Sequence, residues 1–380
     1  MDNKLIGRPT WAEIDLDALA ANLRTIRARV GRDIKVMAAV KANAYGHGAA
    51  ECARRLEAEG TDWFGVALPE EGIELRTAGI TKPILILGGF WAGQEAACLK
   101  NNLTPVVYRL DMLESLDRAA RETGIKTDAH VKIDTGMGRL GVRFDAVRQF
   151  CGQLARFQNI RIDGLMTHLA AADDQDRNDF TDQQLARFSE AIDVFRERGF
   201  APNHIHAANS AATFANPRAL GNMVRPGGTL YGFRRDVLPP QLETPPLRPV
   251  MSLHSRIMLL KKVAKGEQLG YGCTFEAKRD SVIATIPIGY DDGYRRALSN
   301  KGRVIVGRKF APVVGRVSMD LTLIDVTDAP GTALDDEVIL LGSQNELSIT
   351  AEDIAEIVGT ISYEITCGIS HRVTRIYLAV

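Results

Sequence analysis

Eight short apolar runs between Lys35 and Arg225, separated by stretches of helical periodicity, leave this chain few architectures. They are KVMAAV (35–40), WFGVA (63–67), ILIL (84–87), PVVY (105–108), AHVKI (129–133), RIDGLMT (161–167), HIHAA (204–208) and MVR (223–225). Runs that are apolar without strict alternation suit parallel strands covered on both faces. Glu70–Ala78 and Thr181–Arg198 read as two of the intervening helices. Eight such units in about 210 residues predict an α/β fold, a TIM-like (β/α)8 barrel. A doubly wound open sheet is the structural alternative, because periodicity does not report closure. A lead-in strand, Trp11–Asp15, and an amphipathic helix from Leu16 to about Val30, with Leu16, Leu19, Leu23 and Ile26 on one face, precede the barrel.

The texture changes after a proline-rich passage, Val237–Pro249, which predicts a barrel over residues 1–245 and a second domain over 246–380. The runs Met251–Val263, Ser281–Ile288, Val304–Val306, Ala311–Val317, Leu321–Val326, Glu337–Leu341 and Arg372–Leu378 are β-like. Only Ala351–Val358, with Thr350 as N-cap, reads as strongly helical. The second domain is therefore expected to be mostly antiparallel β.

Bulk properties narrow the partners. Lys+Arg and Asp+Glu are both 47, so there is no electrostatic case for nucleic acid or an anionic membrane surface. No apolar stretch reaches the roughly 18 residues of a membrane span, and MDNKLIGRPT does not resemble a signal peptide, so the cytoplasm is expected. The five cysteines, Cys52, Cys98, Cys151, Cys273 and Cys367, are scattered without a CxxC pair. They predict free thiols, with neither a disulfide framework nor a metal site.

Candidate chemistry falls at the strand ends. Lys41 follows the first run and enters a small, glycine-containing turn, ANAYGHG, ahead of a helix read over His47–Gly60. A strand-end lysine is as readily a surface residue as a catalyst, but a partly desolvated amine can attack a carbonyl to form a Schiff base. Arg139 follows the fifth run in DTGMGRLG, His168 ends the sixth, Asn209 and Ser210 end the seventh, and Arg225-Pro226-Gly227-Gly228 ends the eighth. Taken singly, each has a bland reading as an ion-pair partner, a core histidine or a turn. Barrels, however, often bind phosphate after strands seven and eight, where Ser210 offers a hydroxyl and Gly227-Gly228 open backbone N–H groups. A carbonyl-binding lysine with a phosphate cradle implies pyridoxal 5'-phosphate and a small-molecule substrate.

The stretches VKANAYGHG, DTGMGRLGV, HAANSAA, VRPGGTLYG, LGYGCTF, PIGYDDG and GRVSMD, in this order over nearly the whole chain, resemble the bacterial alanine racemase family. The resemblance implies a barrel plus β domain, a cytoplasmic homodimer with shared active sites, and L- to D-alanine interconversion for cell-wall building or D-alanine use. It assigns Lys41 to the cofactor and to the proton of the D-enantiomer, and Tyr271 to the L-enantiomer. Inverting a carbon needs an acid/base group on each side. Family resemblance has His168 and arginines supply the positive charge that a tyrosine base needs. It implies that Tyr45, Ser210, Gly227 and Gly228 contact the phosphate and that Arg225 faces the pyridine nitrogen. Arg139 would meet the cofactor's phenolic oxygen and the substrate carboxylate, and Met319 would line the substrate pocket. Asn209, Tyr290 and Asp320 stand beside them, and Lys132 matches a position that carries a carbamate in some members.

Four positions depart from the family pattern. His371 stands where many members have a tyrosine, which predicts a roomier pocket more tolerant of serine. Gly227-Gly228 replaces a bulkier pair, and Asp291 replaces a common alanine beside Tyr290. A serine-directed or broader racemase, a decarboxylase on the same barrel and a pyridoxal phosphate carrier are the alternative functions.

Overall fold

The computed structural model describes residues 7–243 and 247–379. The expected boundary between residues 245 and 246 falls outside the described residues. Two compact units emerge. One takes Leu19–Ala44 and Ala49–Arg248; the other takes the N-terminal stretch through Ala18, Tyr45–Gly48, and the chain from Pro249 onward.

The first unit is a parallel barrel. Its strands are β2 (Lys35–Ala39), β3 (Trp63–Val66), β4 (Ile84–Ile86), β5 (Leu103–Val107), β6 (Thr127–Asp134), the short β7 (Val142–Arg143), β8 (Ile160–Met166), β9 (His204–His206) and β10 (Met223–Val224). They pair in the order β10-β2-β3-β4-β5-β6-β8-β9, with β7 on β6. Two backbone bonds, Asn222 N–H to the Ile205 carbonyl at 3.1 Å and Arg225 N–H to the Ala208 carbonyl at 3.0 Å, join the last strand back to its predecessor. The ring therefore closes, which decides against the open sheet. Met37, Trp63, Leu85, Val106, Met166 and Met223, each from a different strand, form one buried cluster. Helices cover the outside with one apolar face each. In Leu110–Thr123 the buried residues are Met112, Leu113, Leu116 and Ala120, and Gly124 ends the helix at φ +70° in the left-handed region that glycine adopts without strain.

The second unit is built on a largely antiparallel sheet. Its strands are β1 (Thr10–Asp15), β11 (Met251–Arg256), β12 (Leu259–Val263), β13 (Gln268–Leu269), β14 (Phe275–Glu276), β15 (Ser281–Ile286), β16 (Arg303–Val306), β17 (Lys309–Val314), β18 (Thr322–Asp325), β19 (Glu337–Gln344), β20 (Leu347–Ile349) and β21 (Thr374–Leu378). The main path runs β12-β15-β18-β17-β16-β19-β11-β1-β21. The lead-in strand β1 thus pairs with β11 and, in parallel, with β21. The Ala351–Val358 helix starts at Thr350 as expected, in a reciprocal capping box with Asp353. A second helix, Ser362–Cys367, was not expected. Its sequence, SYEITC, has mediocre helix propensity and no recognisable cap, so its surroundings decide it. All five cysteines are free. No helix among the described residues is long and apolar enough to cross a membrane.

Candidate active site

Lys41 lies just beyond β2, and the turn after it is unusual. Ala42, Asn43, Ala44 and Tyr45 all have φ between +52° and +55°. The glycines of this stretch, Gly46 and Gly48, come after the bend, and the non-glycine residues themselves form a left-handed turn. Each such residue costs about 1–2 kcal/mol, so the surroundings must hold the turn in place. Within the barrel unit, Ala42 N–H donates to Glu71 Oε1 at 2.6 Å, while Ala67 N–H donates to Glu71 Oε2 at 2.6 Å. Asn43 Oδ1 accepts from Ala49 N–H at 2.7 Å and so caps the Ala49–Ala58 helix. In the other unit, Gly46 must be glycine: its φ is +86° and a Cβ would stand 2.1 Å from the Thr366 carbonyl oxygen.

Strands β6, β8 and β10 bring further basic groups towards Lys41. Lys132 is buried on β6, and its amine is pushed down to about 8, first by burial and then by Arg225, Arg139 and Lys41, with Asp134 opposing. Arg139 follows β6 on an exposed loop whose Gly136, Gly138 and Gly141 all have positive φ. His168 follows β8. Burial, then Arg225, Lys132, Arg139 and Lys41, hold its imidazole well below the ordinary histidine range, so it is neutral at neutral pH. Gln184 steadies this loop through the His168 carbonyl and Ala170 N–H, at 3.1 and 2.9 Å.

Arg225, at the end of β10, is almost wholly buried, and burial lowers its guanidinium to about 10, still protonated at neutral pH. NH1 donates to the His206 carbonyl at 2.8 Å and to His206 Nδ1 at 3.0 Å. NH2 donates to the carbonyls of Thr167 and Ala207 at 2.7 and 3.0 Å and lies 3.5 Å from His168 Nδ1. Both terminal nitrogens are thereby engaged, and the Nε–H has no acceptor among the described residues. Close by, Ser210 Oγ accepts Gly227 N–H at 2.8 Å, and Asn209 caps the short Ser210–Ala215 helix.

The barrel unit thus brings Lys41, Lys132, Arg139, His168 and Arg225 into one electrostatic neighbourhood, with Asn209, Ser210, Gly227 and Gly228 following its last two strands. Tyr45, Tyr271, Tyr290, Met319, Asp320 and His371 belong to the other unit. There Tyr271 sits in the turn joining β13 to β14 and is 73% exposed; Met319 is 52% exposed. Arg372 ties Asp320 to Asp291, the position that departs from the family pattern. Sequence reasoning missed Glu71, His130, His206 and Arg372. The histidines carried a signal: on an otherwise apolar barrel strand, His130 shares a face with Lys132, and His206 with His204, at spacing two.

The chain matches the alanine racemase N-terminal domain over residues 14–235 and the alanine racemase C-terminal domain over residues 250–377. It is 44% identical to the alanine racemase of Halothermothrix orenii over 377 residues, 99% of this chain and 98% of that one. It is also 44% identical to that of Geobacter sulfurreducens over 380 residues, covering 98% and 97%. Among solved structures, alanine racemase from Clostridium difficile superposes with a TM-score of 0.92 at 39% identity, covering 98% of this chain and 96% of that one. The Bacillus anthracis alanine racemase with bound L-Ala-P gives 0.91 at 34% identity, with coverages of 98% and 96%. By sequence along nearly its whole length, and by fold, the chain belongs to the alanine racemase family.

Proposed function

We propose that this chain interconverts L- and D-alanine with pyridoxal 5'-phosphate held at the mouth of the barrel. The observation that carries the reading is Arg225: a buried, protonated guanidinium whose terminal nitrogens are spent on protein acceptors and whose Nε–H remains. That donor suits an unprotonated pyridine nitrogen. The charge balance fits as well, because the groups acting on Lys132 are three cations against one carboxylate, a setting for a phosphate, a phenolate and a substrate carboxylate. A decarboxylase would want a carboxylate where Arg225 stands, to strengthen the electron sink.

When bound, pyridoxal 5'-phosphate would withdraw electrons from the substrate α-carbon and acidify its C–H bond. Lys41 would hold the cofactor through its amine and carry the proton of the D-enantiomer. Tyr271 would carry the proton of the L-enantiomer on the opposite face. Tyr45, Ser210, Gly227 and Gly228 would bind phosphate, with Asn209 shaping their loop. Arg139 would orient the substrate carboxylate, steadied by Lys132 in carbamate form, whose lowered pKa favours reaction of the free amine with carbon dioxide. His168 is neutral, which leaves the arginines to supply positive charge to Tyr271. Tyr290, Met319, Asp320 and His371 would form the rim. Tyr271 and Met319 are too exposed in a single chain to work there as a shielded base and pocket wall. That supports a homodimer in which each β-rich domain completes the partner's site, acting in the cytoplasm to supply D-alanine for cell-wall precursors.

Incubation with pyridoxal 5'-phosphate and L-alanine in heavy water, read by chiral mass spectrometry, tests the reading. Deuterated D-alanine is expected. Tyr271→Phe should retain the fold and lose about 100-fold or more in kcat from L-alanine. Release of carbon dioxide, or no exchange, would refute the activity.

A further inference from the structure

Behind Arg225 the barrel interior holds a second polar group that the proposed chemistry does not use. His206 Nε2 lies 2.9 Å from His130 Nδ1, deep inside, with both residues fully buried. A guanidinium only donates, so the 3.0 Å contact from Arg225 NH1 requires a lone pair on His206 Nδ1. His206 is then neutral and carries its hydrogen on Nε2. That hydrogen points at His130 Nδ1, which must accept it, so His130 is neutral with its own hydrogen on Nε2. Donor and acceptor roles are thus fixed along the whole row, from Arg225 to His206 to His130.

The surroundings are built for this arrangement. Strand β8 carries one extra residue, Asp163, so that Gly164 lies opposite His130 on β6. A Cβ on Gly164 would stand 2.5 Å from His130 Nδ1, the atom that receives the bond. Trp63 and His204 pack against the His130 ring at centroid distances of 5.5 and 5.6 Å, and His204 in turn faces Asp163 at 3.4 Å. Burial, then His204 and Arg225, hold His130 well below the ordinary histidine range; burial, then Arg225, His130 and His204, do the same for His206. His130 Nε2 has no acceptor among the described residues. A buried, half-satisfied imidazole costs stability that an apolar side chain would not, so packing alone does not account for it.

We propose that His130 is a positioning residue: through its Nδ1 it fixes the tautomer and ring orientation of His206, and through His206 it keeps the Arg225 guanidinium aimed at its ligand. The link to turnover rests on the reading of Arg225 given above; the tautomers do not.

Side-chain 15N NMR of the full, histidine-labelled chain, with and without pyridoxal 5'-phosphate, reads the tautomers directly. Both His130 and His206 should be neutral Nε2–H forms that do not titrate between about pH 5.5 and 9. A His206 that carries its hydrogen on Nδ1, or that titrates in this range, overturns the proposal. Two variants of similar size separate positioning from packing. His130→Leu removes the acceptor and should lower kcat about 10-fold, as loss of an outer partner typically does, with the KM for alanine little changed. His130→Asn keeps an acceptor oxygen and should restore most of that rate. Equal rates in the two variants would overturn the proposal. A wild type with the expected tautomers but no exchange of alanine would refute the proposed activity instead, so the two failures are distinguishable.

Discussion

Glu71 offers a sharp test of how the Lys41 turn is held. Its carboxylate accepts N–H bonds from Ala42 and Ala67 at 2.6 Å and from Leu68 at 3.2 Å. Charge-assisted bonds of this kind contribute about 1.5–3 kcal/mol each, towards the lower end here because Ala42 is exposed and water can replace the acceptor. Glu71→Ala would by that account cost roughly 4–5 kcal/mol. The turn it anchors, however, stores about 4–8 kcal/mol in four left-handed residues, and part of that is released once Ala42 is free to relax. The net loss of stability should therefore be smaller, about 1–2 kcal/mol, or a melting temperature lower by roughly 2–8 °C. Catalysis should suffer more, because relaxation moves Lys41, and a misplacement of about 1 Å can cost about 100-fold. Melting curves and kcat for L-alanine at saturating pyridoxal 5'-phosphate check the split. Glu71→Gln should fall between, since one of its two terminal atoms no longer accepts. A Glu71→Ala enzyme that loses several kcal/mol of stability yet keeps wild-type kcat would refute the strain argument.

Lys132 gives a pH-dependent prediction for the cofactor-free chain in bicarbonate-free buffer. Its folded pKa, about 8, lies below its ordinary value of 10.5, so between these two pH values the unfolded chain binds more protons and stability rises with pH. Below the folded pKa the full penalty remains, about 3 kcal/mol. Lys132→Gln should therefore raise the melting temperature near neutral pH, with the gain shrinking as the pH climbs from 8 towards 10.5; a gain that is constant with pH would exclude this cause. Gly46→Ala should cost roughly 2–5 kcal/mol, from positive-φ strain plus a clash with a backbone oxygen, and a wild-type melting temperature in this variant would argue against the contact. His371→Tyr should shift kcat/KM towards alanine over serine, and an unchanged ratio would remove the roomier-pocket idea.

The order of β and α elements, the α/β class and the strand-end placement of Lys41, Arg139, His168 and Arg225 were determined by the sequence itself, because short continuous apolar runs mark strands buried on both faces and a 3.6-residue apolar pattern marks helices buried on one. Strand ends in a barrel gather on one face whatever the loops contain, so the candidate residues were legible before their distances were known. Tertiary structure alone decided what depends on partners far away in the chain. Closure needed the pairing of Asn222 and Arg225 with residues of the preceding strand region. The left-handed turn at Ala42–Tyr45 defies local preference and exists because Glu71 and Asn43 hold it. Strand β1 precedes the barrel in the chain yet joins β11 and β21, since strand pairing is set by open edges and not by order in sequence. The row from Arg225 through His206 to His130 lies wholly on the tertiary side: the sequence reading passed over both histidines, and only the fold, with Gly164 leaving the space, aligned their nitrogens.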